Sequence, residues 1–473
     1  MKLGLLKNPF YPVQKILPGS LGAEPLLMKA PLSVVLDGKP IRLDLGKQHL
    51  WLFGDVLTRV IPGAAVGDML LVDPDRYFSG IAGFARIRPG ESLVIGRGNE
   101  ELDRVFGFPK SVKKRHLKLT NEGGEILLEP LDIERDTFVS SVDDPTAIAR
   151  IWANRQDNLR SVTEIFGGPI ELLPPDQAMA AIKGMNELLR DDPYRAQDSQ
   201  GQPGGLLDLP RDVTPIIVGD LHAQIDNLLS ILSANHFLEG LRSGTAALIL
   251  LGDTVHREED GMLEEMESSL LMLDLIFKLK IRFPRNVFYL RGNHESFDES
   301  VGKAGVPQGQ IFRRQVKLLR GSSYAKRLAE CFDLLPYVVR SEDFIACHAG
   351  PTRRRVSPRE LINIRAHPKL AHELTWNRLR RPSYPGGYSK KDVKSFRQQL
   401  GVAKHTPFIV SHTPVTSQGA VWTDLAGIKN HHVVFSARPD KVAVMIRDRH
   451  EMIPLMYPVE PLRARMANLV PAA

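Results

Sequence analysis

Five short apolar runs in the second half of the chain each end in residues that can bind metal or phosphate. V-T-P-I-I-V leads into Gly219-Asp220-Leu221-His222, and A-L-I-L-L into Gly252-Asp253-Thr254-Val255-His256-Arg257. N-V-F-Y-L leads into Arg291-Gly292-Asn293-His294-Glu295, D-F-I-A-C into His348-Ala349-Gly350, and P-F-I-V-S into His412-Thr413-Pro414. The donors gathered this way are Asp220, His222, Asp253, Asn293, His348 and His412. Carboxylate, amide oxygen and imidazole together suit Mn, Fe or Zn. Six side chains exceed what one structural zinc takes, and a chain with only Cys331 and Cys347 cannot build a thiolate cage. The set suits two metals about 3.5–4 Å apart that share one carboxylate, a site for hydrolysing phosphoesters. A single Gly-Asp or His at a strand end is ordinarily a turn or a hydrogen-bonded structural residue. The ordered recurrence of five carries the reading.

Such a set needs one sheet edge to collect it, and open α/β sheets gather ligands beyond the carboxyl ends of their strands. From Pro210 onward short apolar strands alternate with helical segments. The clearest helix is Gly261 to Lys280, with Leu263, Met266, Leu270, Leu273 and Phe277 on one stripe. This predicts an α/β layered domain. Residues 1–140 read instead as short strands, among them Leu50 to Phe53, Met69 to Val72, Ser92 to Ile95, His116 to Leu119 and Glu125 to Leu128. Turn signals at Asp37-Gly38, Pro89-Gly90 and Asn121 to Gly124 separate such runs, which predicts a β-sandwich or barrel. Between them, after Asp144-Pro145, T-A-I-A-R-I-W-A-N-R and D-Q-A-M-A-A-I-K-G-M-N-E-L-L-R predict helices, the second with Met179, Ile182, Met185, Leu188 and Leu189 in phase. Ala196 to Gly205 reads as a linker. The expected organisation is a multi-domain chain: a sandwich over 1–140, a helical connector and linker over 141–205, and a catalytic domain over 206–473.

The 473 residues include 43% hydrophobic and 25% charged, the balance of a folded globular protein. Two cysteines exclude a disulfide framework and fit a reducing, cytoplasmic setting. No apolar run reaches the ~18 residues a membrane span needs, and the N-terminal M-K-L-G-L-L-K-N-P-F meets Pro too early for a signal-peptide core. The formal charge of +7 is local. Arg353 to Lys404 holds 14 Lys or Arg against 3 Asp or Glu, so the rest of the chain is net acidic. That segment lies between His348 and His412, where it would attract phosphorylated substrate, and this argues against a general nucleic-acid binder.

G-D-L-H, G-D-T-V-H-R, R-G-N-H-E, C-H-A-G and S-H-T-P resemble, in order, the signatures of the PPP-type metallophosphoesterases, the group that includes Ser/Thr protein phosphatases and symmetrical diadenosine tetraphosphatases. The likeness runs from about Pro210 to Asp448. C-F-D-L-L-P-Y, Trp376-Asn377, and H-H-V-V-F-S-A-R-P with V-A-V-M-I-R-D resemble the protein phosphatase branch. The resemblance implies two divalent metals, with Mn expected to serve in vitro. Asp220 and His222 would bind the first, Asp253 would bridge, and Asn293, His348 and His412 would hold the second. A hydroxide activated between the metals would attack phosphorus. Arg257 and Asn293 would grip phosphate oxygens, and His294 would protonate the leaving alkoxide. A second phosphate-binding Arg is implied after the Trp motif; Arg378, Arg380 and Arg381 compete, with Arg381 preferred. Three positions depart from the pattern. Ala223 and Ala349 replace Gly, the first a small loss unless the backbone there needs positive φ. His256 replaces the Asp that normally partners the acid histidine, and Glu258 or Glu259 is the expected substitute carboxylate.

Residues from about Ser79 to Val139 resemble a forkhead-associated domain, through L-V-I-G-R, K-K-R-H-L-K-L, G-G-E-I-L-L-E-P and R-D-T-F-V. Arg97 matches that family's phosphate-contacting Arg, which implies a phosphopeptide site. Lys113 stands where a phosphate-binding Ser is expected, and Arg135-Asp136-Thr137 replaces Asn-Gly-Thr. These departures favour protein contact or docking over phosphothreonine recognition, with His116 structural. The expected function is a Ser/Thr protein phosphatase acting on phosphoproteins, with no membrane and no nucleic-acid partner. The alternatives are a nucleotide or dinucleoside polyphosphate phosphoesterase and a catalytically weak phosphoprotein-binding scaffold.

Overall fold

The computed structural model describes residues 14–16, 21–35, 40–54, 69–74, 84–99, 102–103, 106–142, 146–448 and 451–466. The Asp37-Gly38 and Asp144-Pro145 signals lie outside these residues. The chain divides into two compact units, 1–154 and 155–473.

The first unit is built from two sheets that share one core, the plan of a β-sandwich. One sheet orders the strands Gln14–Ile16, Leu32–Val35, Glu125–Pro130, Leu117–Asn121 and Ser92–Ile95. The other orders Leu26–Leu27, Thr137–Ser141, Ile41–Leu45, Gln48–Gly54, Met69–Val72 and Phe84–Ile87. Period-2 alternation explains the core: Ile41, Leu43 and Leu45 point inward from one sheet, and Leu117 and Leu119 from the other.

The second unit has two sheets packed face to face with helices outside both. One sheet orders Val287–Tyr289, Ala246–Leu250, Thr214–Val218, Lys441–Asp448 and Glu451–Pro458. The other orders Arg195–Gln197, Pro203–Asp208, Val338–Arg340, Ile345–Cys347, Phe408–Val410, His431–Val434 and Val421–Trp422. Alternate residues of each strand serve different layers. Ile217, Ile249, Phe288, Ala346 and Ile409 meet in the core between the sheets. Ile216, Leu248 and Val287 face one helical layer, and Ile345, Cys347 and Phe408 face the other. Both faces of these strands are therefore apolar, which is why they read as continuous hydrophobic runs. Thr214–Val218, Ala246–Leu250 and Val287–Tyr289 run parallel, as do Ile345–Cys347, Phe408–Val410 and His431–Val434.

Three features differ from the sequence reading. The helices Thr146–Phe166 and Pro175–Arg190 form no free-standing connector. Leu159, Val162, Phe166, Ile182, Met185 and Leu189 are buried in the second unit's core. Ala196 to Gly205 is half sheet, its two ends belonging to the strands Arg195–Gln197 and Pro203–Asp208. Its glycines serve close packing: a Cβ on Gly204 would lie 2.6 Å from the Ala196 carbonyl, and one on Gly205 2.6 Å from that of Leu361. The helix expected from Gly261 begins at Glu267, and just ahead of it the Glu265 carboxylate accepts the Ser268 N–H at 2.9 Å. No helix among the described residues is long and apolar enough to cross a membrane.

Candidate metal centre

The loops that follow the parallel strands bring Asp220, His222, Asp253, Asn293, His348 and His412 together, all buried. Two ligand groups, Asp220–His222–Asp253 and Asp253–His348–His412, form from these residues, and a third, His222–Glu258–His294, adjoins them, each with its donor atoms within 4.8 Å of one another. Asp253 belongs to the first two. Of the ten non-glycine residues with positive φ among the described residues, five lie in these loops: His222 at 42°, Ala223 at 58°, Asp253 at 49°, His256 at 66° and His412 at 61°. The backbone is held in a costly conformation where the donors are aimed. Ala223 thus occupies a position that does need positive φ, so its replacement of Gly carries a cost of roughly 1–2 kcal/mol. Glycine is required where two loops touch: a Cβ on Gly292 would lie 2.3 Å from Asp253 Oδ1.

The hydrogen bonds fix two histidine tautomers. His222 Nδ1 donates to the His256 carbonyl at 3.0 Å, and His348 Nδ1 donates to the Leu251 carbonyl at 3.1 Å. Each Nε2 is left as a lone pair aimed into the cluster. His348 Nε2 then faces Asn293 Oδ1 at 3.0 Å, Asp253 Oδ2 at 3.2 Å and His412 Nδ1 at 3.2 Å. Turned over, the Asn293 amide would donate to Asp253 and to the Thr375 carbonyl, so its oxygen-inward orientation is the one a cation favours. His412 Nε2 is buried without a hydrogen-bond partner. Imidazole, carboxylate and amide-oxygen donors this close together fit a divalent cation. Burial pushes the Asp220 carboxyl up to about 6. Burial also opposes charge on His348, but Asp253 and Asp220 outweigh it and hold the imidazole up to about 9, a demand for positive charge that a metal would meet.

Residues 214–435 match the family model described as calcineurin-like phosphoesterase. All six donors fall inside that stretch. The chain carries a calcineurin-like metallophosphoesterase domain. The enzyme is a metallophosphatase; calcineurin-like phosphoesterases use divalent metals, and the His/Asp groups above could hold them. Among solved structures the phosphatase is similar to a protein serine/threonine phosphatase from Saccharomyces cerevisiae with similarity to human phosphatase PP5. That match has 20% identity, covers 60% of this chain and 90% of that one, and has a TM-score of 0.46. It is also similar to a cold-active protein-tyrosine phosphatase of a psychrophilic Shewanella species, at 14% identity, 58% and 84% coverage and a TM-score of 0.37.

Around the phosphatase's ligand cluster, His256 Nδ1 lies 3.1 Å from His294 Nδ1. One ring must donate and the other accept. Burial drives His256 well below its ordinary value and His294 down to about 4. Glu259 is not a partner of this pair. Its carboxylate accepts Arg257 Nε at 3.0 Å and Nη2 at 2.8 Å, and it accepts from Gln224 as well. Glu258 lies in one ligand group with His222 and His294. Of the three competing arginines, Arg378 carries the charge that acts on His412, beside Trp376, whose ring meets His412 edge-on. Arg381 sits at the turn of a short hairpin, bridged through its backbone to Tyr384, and Arg380 Nε donates to the Gly387 carbonyl.

Sequence reasoning assigned no task to Glu295. It is fully buried, and its carboxylate accepts the backbone N–H groups of Asp253, Thr254 and Gly292. It clamps the loop bearing Asp253 to the loop bearing Asn293. A charged residue two places after a ligand, at the end of a buried strand, was the available signal. In the first unit, Arg97 is exposed and its Nε donates to the Val112 carbonyl at 2.7 Å. His116 is buried, with Nδ1 accepting from the Lys113 N–H and Nε2 bonded to Thr137 Oγ1 at 3.1 Å. It ties a loop to a strand.

Proposed function

We propose that this metallophosphatase is a Ser/Thr protein phosphatase that hydrolyses phosphoserine and phosphothreonine monoesters at a dinuclear centre. The observation that carries the reading is the single buried carboxylate, Asp253, common to two ligand groups. Asp220 and His222 would hold one ion with Asp253, and Asn293, His348 and His412 the other; Mn is the metal to test first. Bound divalent metals supply water activated at neutral pH and neutralise phosphate charge. The chain's residues do the rest. Arg257 is gripped on its Nε side by Glu259, which leaves Nη1 to bind a phosphate oxygen. To act as the acid His294 must be a cation, so the charge of the bound phosphate has to raise it from the value of about 4 that burial imposes; its Nδ1–H would then donate to His256 Nδ1 and its Nε2 proton would go to the leaving alkoxide. That requires His256 to carry its own proton on Nε2, where it has no hydrogen-bond partner. The basic segment from Arg353 to Lys404 would draw the anionic substrate in. The unit ahead of the catalytic domain would bind partner or substrate proteins, with Arg97 as its candidate phosphate contact.

The same basic segment supports the second reading, a phosphoesterase for dinucleoside polyphosphates, whose several phosphates it could track. A substrate panel with Mn separates them. Phosphopeptides and simple monoesters should turn over, and dinucleoside polyphosphates and diesters should not. Preferential hydrolysis of a dinucleoside polyphosphate would overturn the first reading.

A further inference from the structure

The departures from the phosphatase pattern at positions 256 and 258 are linked. An Asp is lost at His256, and a carboxylate appears two residues later, at Glu258. The expectation was that Glu258 or Glu259 would take over as partner of His294. The structure gives the Nδ1 side of His294 to His256 instead, and it puts Glu258 against His222.

His222 Nδ1 donates to the His256 carbonyl, so Nε2 carries the lone pair. That lone pair has Asp220 Oδ2 at 3.8 Å and Glu258 Oε2 at 3.6 Å. Donors bound to one cation at about 2.1 Å each stand roughly 3.0–3.4 Å apart in octahedral to tetrahedral arrangements. The observed separations lie within a few tenths of an ångström of that range and are too long for hydrogen bonds. Each of these oxygens repels the Nε2 lone pair unless positive charge sits between them, and Glu258 shares a ligand group with His222. We propose that Glu258 is an additional ligand of the metal ion held by Asp220 and His222, so that this ion has a protein carboxylate where its set would otherwise end at Asp220, His222 and Asp253. Lys303 Nζ donates to the same oxygen, Glu258 Oε2, at 3.0 Å and to the Glu258 carbonyl at 3.2 Å, a partly exposed ion pair that a bound metal would displace. Glu259 supplies the contrast. It is the next residue with the same charge, but both its oxygens are engaged by Arg257 and Gln224.

This inference rests on the metal-dependent reading of the site, and its test needs no catalysis. Full-length protein is stripped with chelator and titrated with Mn²⁺ by calorimetry, with metal counted after gel filtration. Wild type, Glu258→Gln, Glu259→Gln and Lys303→Met are compared, and the melting curve of each metal-free protein confirms folding. Glu258 is 29% exposed, so its metal-free variant should melt with wild type. Glu258→Gln is expected to weaken one of the bound ions by at least about ten-fold. Glu259→Gln and Lys303→Met should leave that ion's affinity within about two-fold of wild type. Unchanged binding in Glu258→Gln overturns the inference. So does an equal loss in Lys303→Met, which would reduce Glu258 to a salt-bridge partner, or an equal loss in Glu259→Gln, which would reduce the effect to general charge. Wild type that binds no Mn²⁺ overturns the metal reading itself, a result distinct from all of these.

Discussion

Replacing Glu295 with Gln removes one negative charge and turns one acceptor into a donor while keeping the shape. The carboxylate takes five hydrogen bonds. Oε2 accepts the N–H groups of Asp253 and Gly292 at 2.8 Å each. Oε1 accepts the Thr254 N–H at 2.9 Å, the Tyr289 hydroxyl at 2.7 Å and Thr254 Oγ1 at 3.3 Å. An amide nitrogen in the Oε2 position would leave two buried backbone donors facing another donor. In the Oε1 position it strands only the Thr254 N–H, because the two hydroxyls can rotate and accept. The chain should choose the second arrangement, at a cost of about 1–3 kcal/mol for one unsatisfied buried donor. Glu295→Ala strands all three backbone donors and opens a cavity, so its cost should exceed about 4 kcal/mol. Urea unfolding followed by circular dichroism reads the stability. Hydrogen exchange over 251–256 and 290–295 reads the loops, and in Glu295→Gln protection should fall most at Thr254. If Glu295→Gln unfolds within about 0.5 kcal/mol of wild type with unaltered exchange, the carboxylate is not the clamp described here.

Three further outcomes follow from other contacts. Glu259→Gln loosens Arg257 and should raise KM for a phosphopeptide and the inhibition constant of inorganic phosphate by about two- to five-fold, with kcat less affected; tighter phosphate binding would mean that Glu259 stands in the phosphate's place. Arg320 Nη2 donates to the buried Asp274 carboxylate at 2.7 Å, so Arg320→Met should cost about 3–5 kcal/mol in urea unfolding, and the double change Asp274→Leu with Arg320→Met should recover most of it. Burial outweighs Arg320 and pushes the Asp274 carboxyl up to about 6, above its unfolded value. The folded state therefore holds the extra proton between about pH 4 and 6. This group's contribution is most favourable below that window and is lost as pH rises through it. Wild-type stability measured against Asp274→Asn should fall by roughly 1–3 kcal/mol from pH 4 to pH 7, and a difference that does not vary with pH would contradict the assignment.

Much of the second unit could be read from its sequence because its strands are buried on both faces, and the residues after them are types that rarely recur by chance in that order. Position 256 was legible as a departure, but its consequence was not. Only the fold shows that His294 Nδ1 meets a second imidazole and that Glu258 and Glu259 diverge to different partners. Ala196 to Gly205 misled because glycine and proline signal flexibility and close packing with the same letters. Gly204 and Gly205 are glycine because the Ala196 and Leu361 carbonyls press against them. The two helices over 146–190 were legible from periodicity, but periodicity gives a buried stripe and not the surface that buries it. Glu295 was overlooked because a buried carboxylate looks like any surface Glu until its donors, up to 42 residues away in sequence, are seen together.

The central claim is that Asp253 serves two metal ions at once. The direct test is elemental analysis of metal per chain after reconstitution with Mn²⁺, for wild type and Asp253→Asn, with phosphopeptide turnover measured on the same samples. Wild type should bind about two equivalents, and Asp253→Asn about one or fewer with turnover lost. Wild type that saturates at a single ion, or an Asp253→Asn variant that keeps both ions and its turnover, would contradict it.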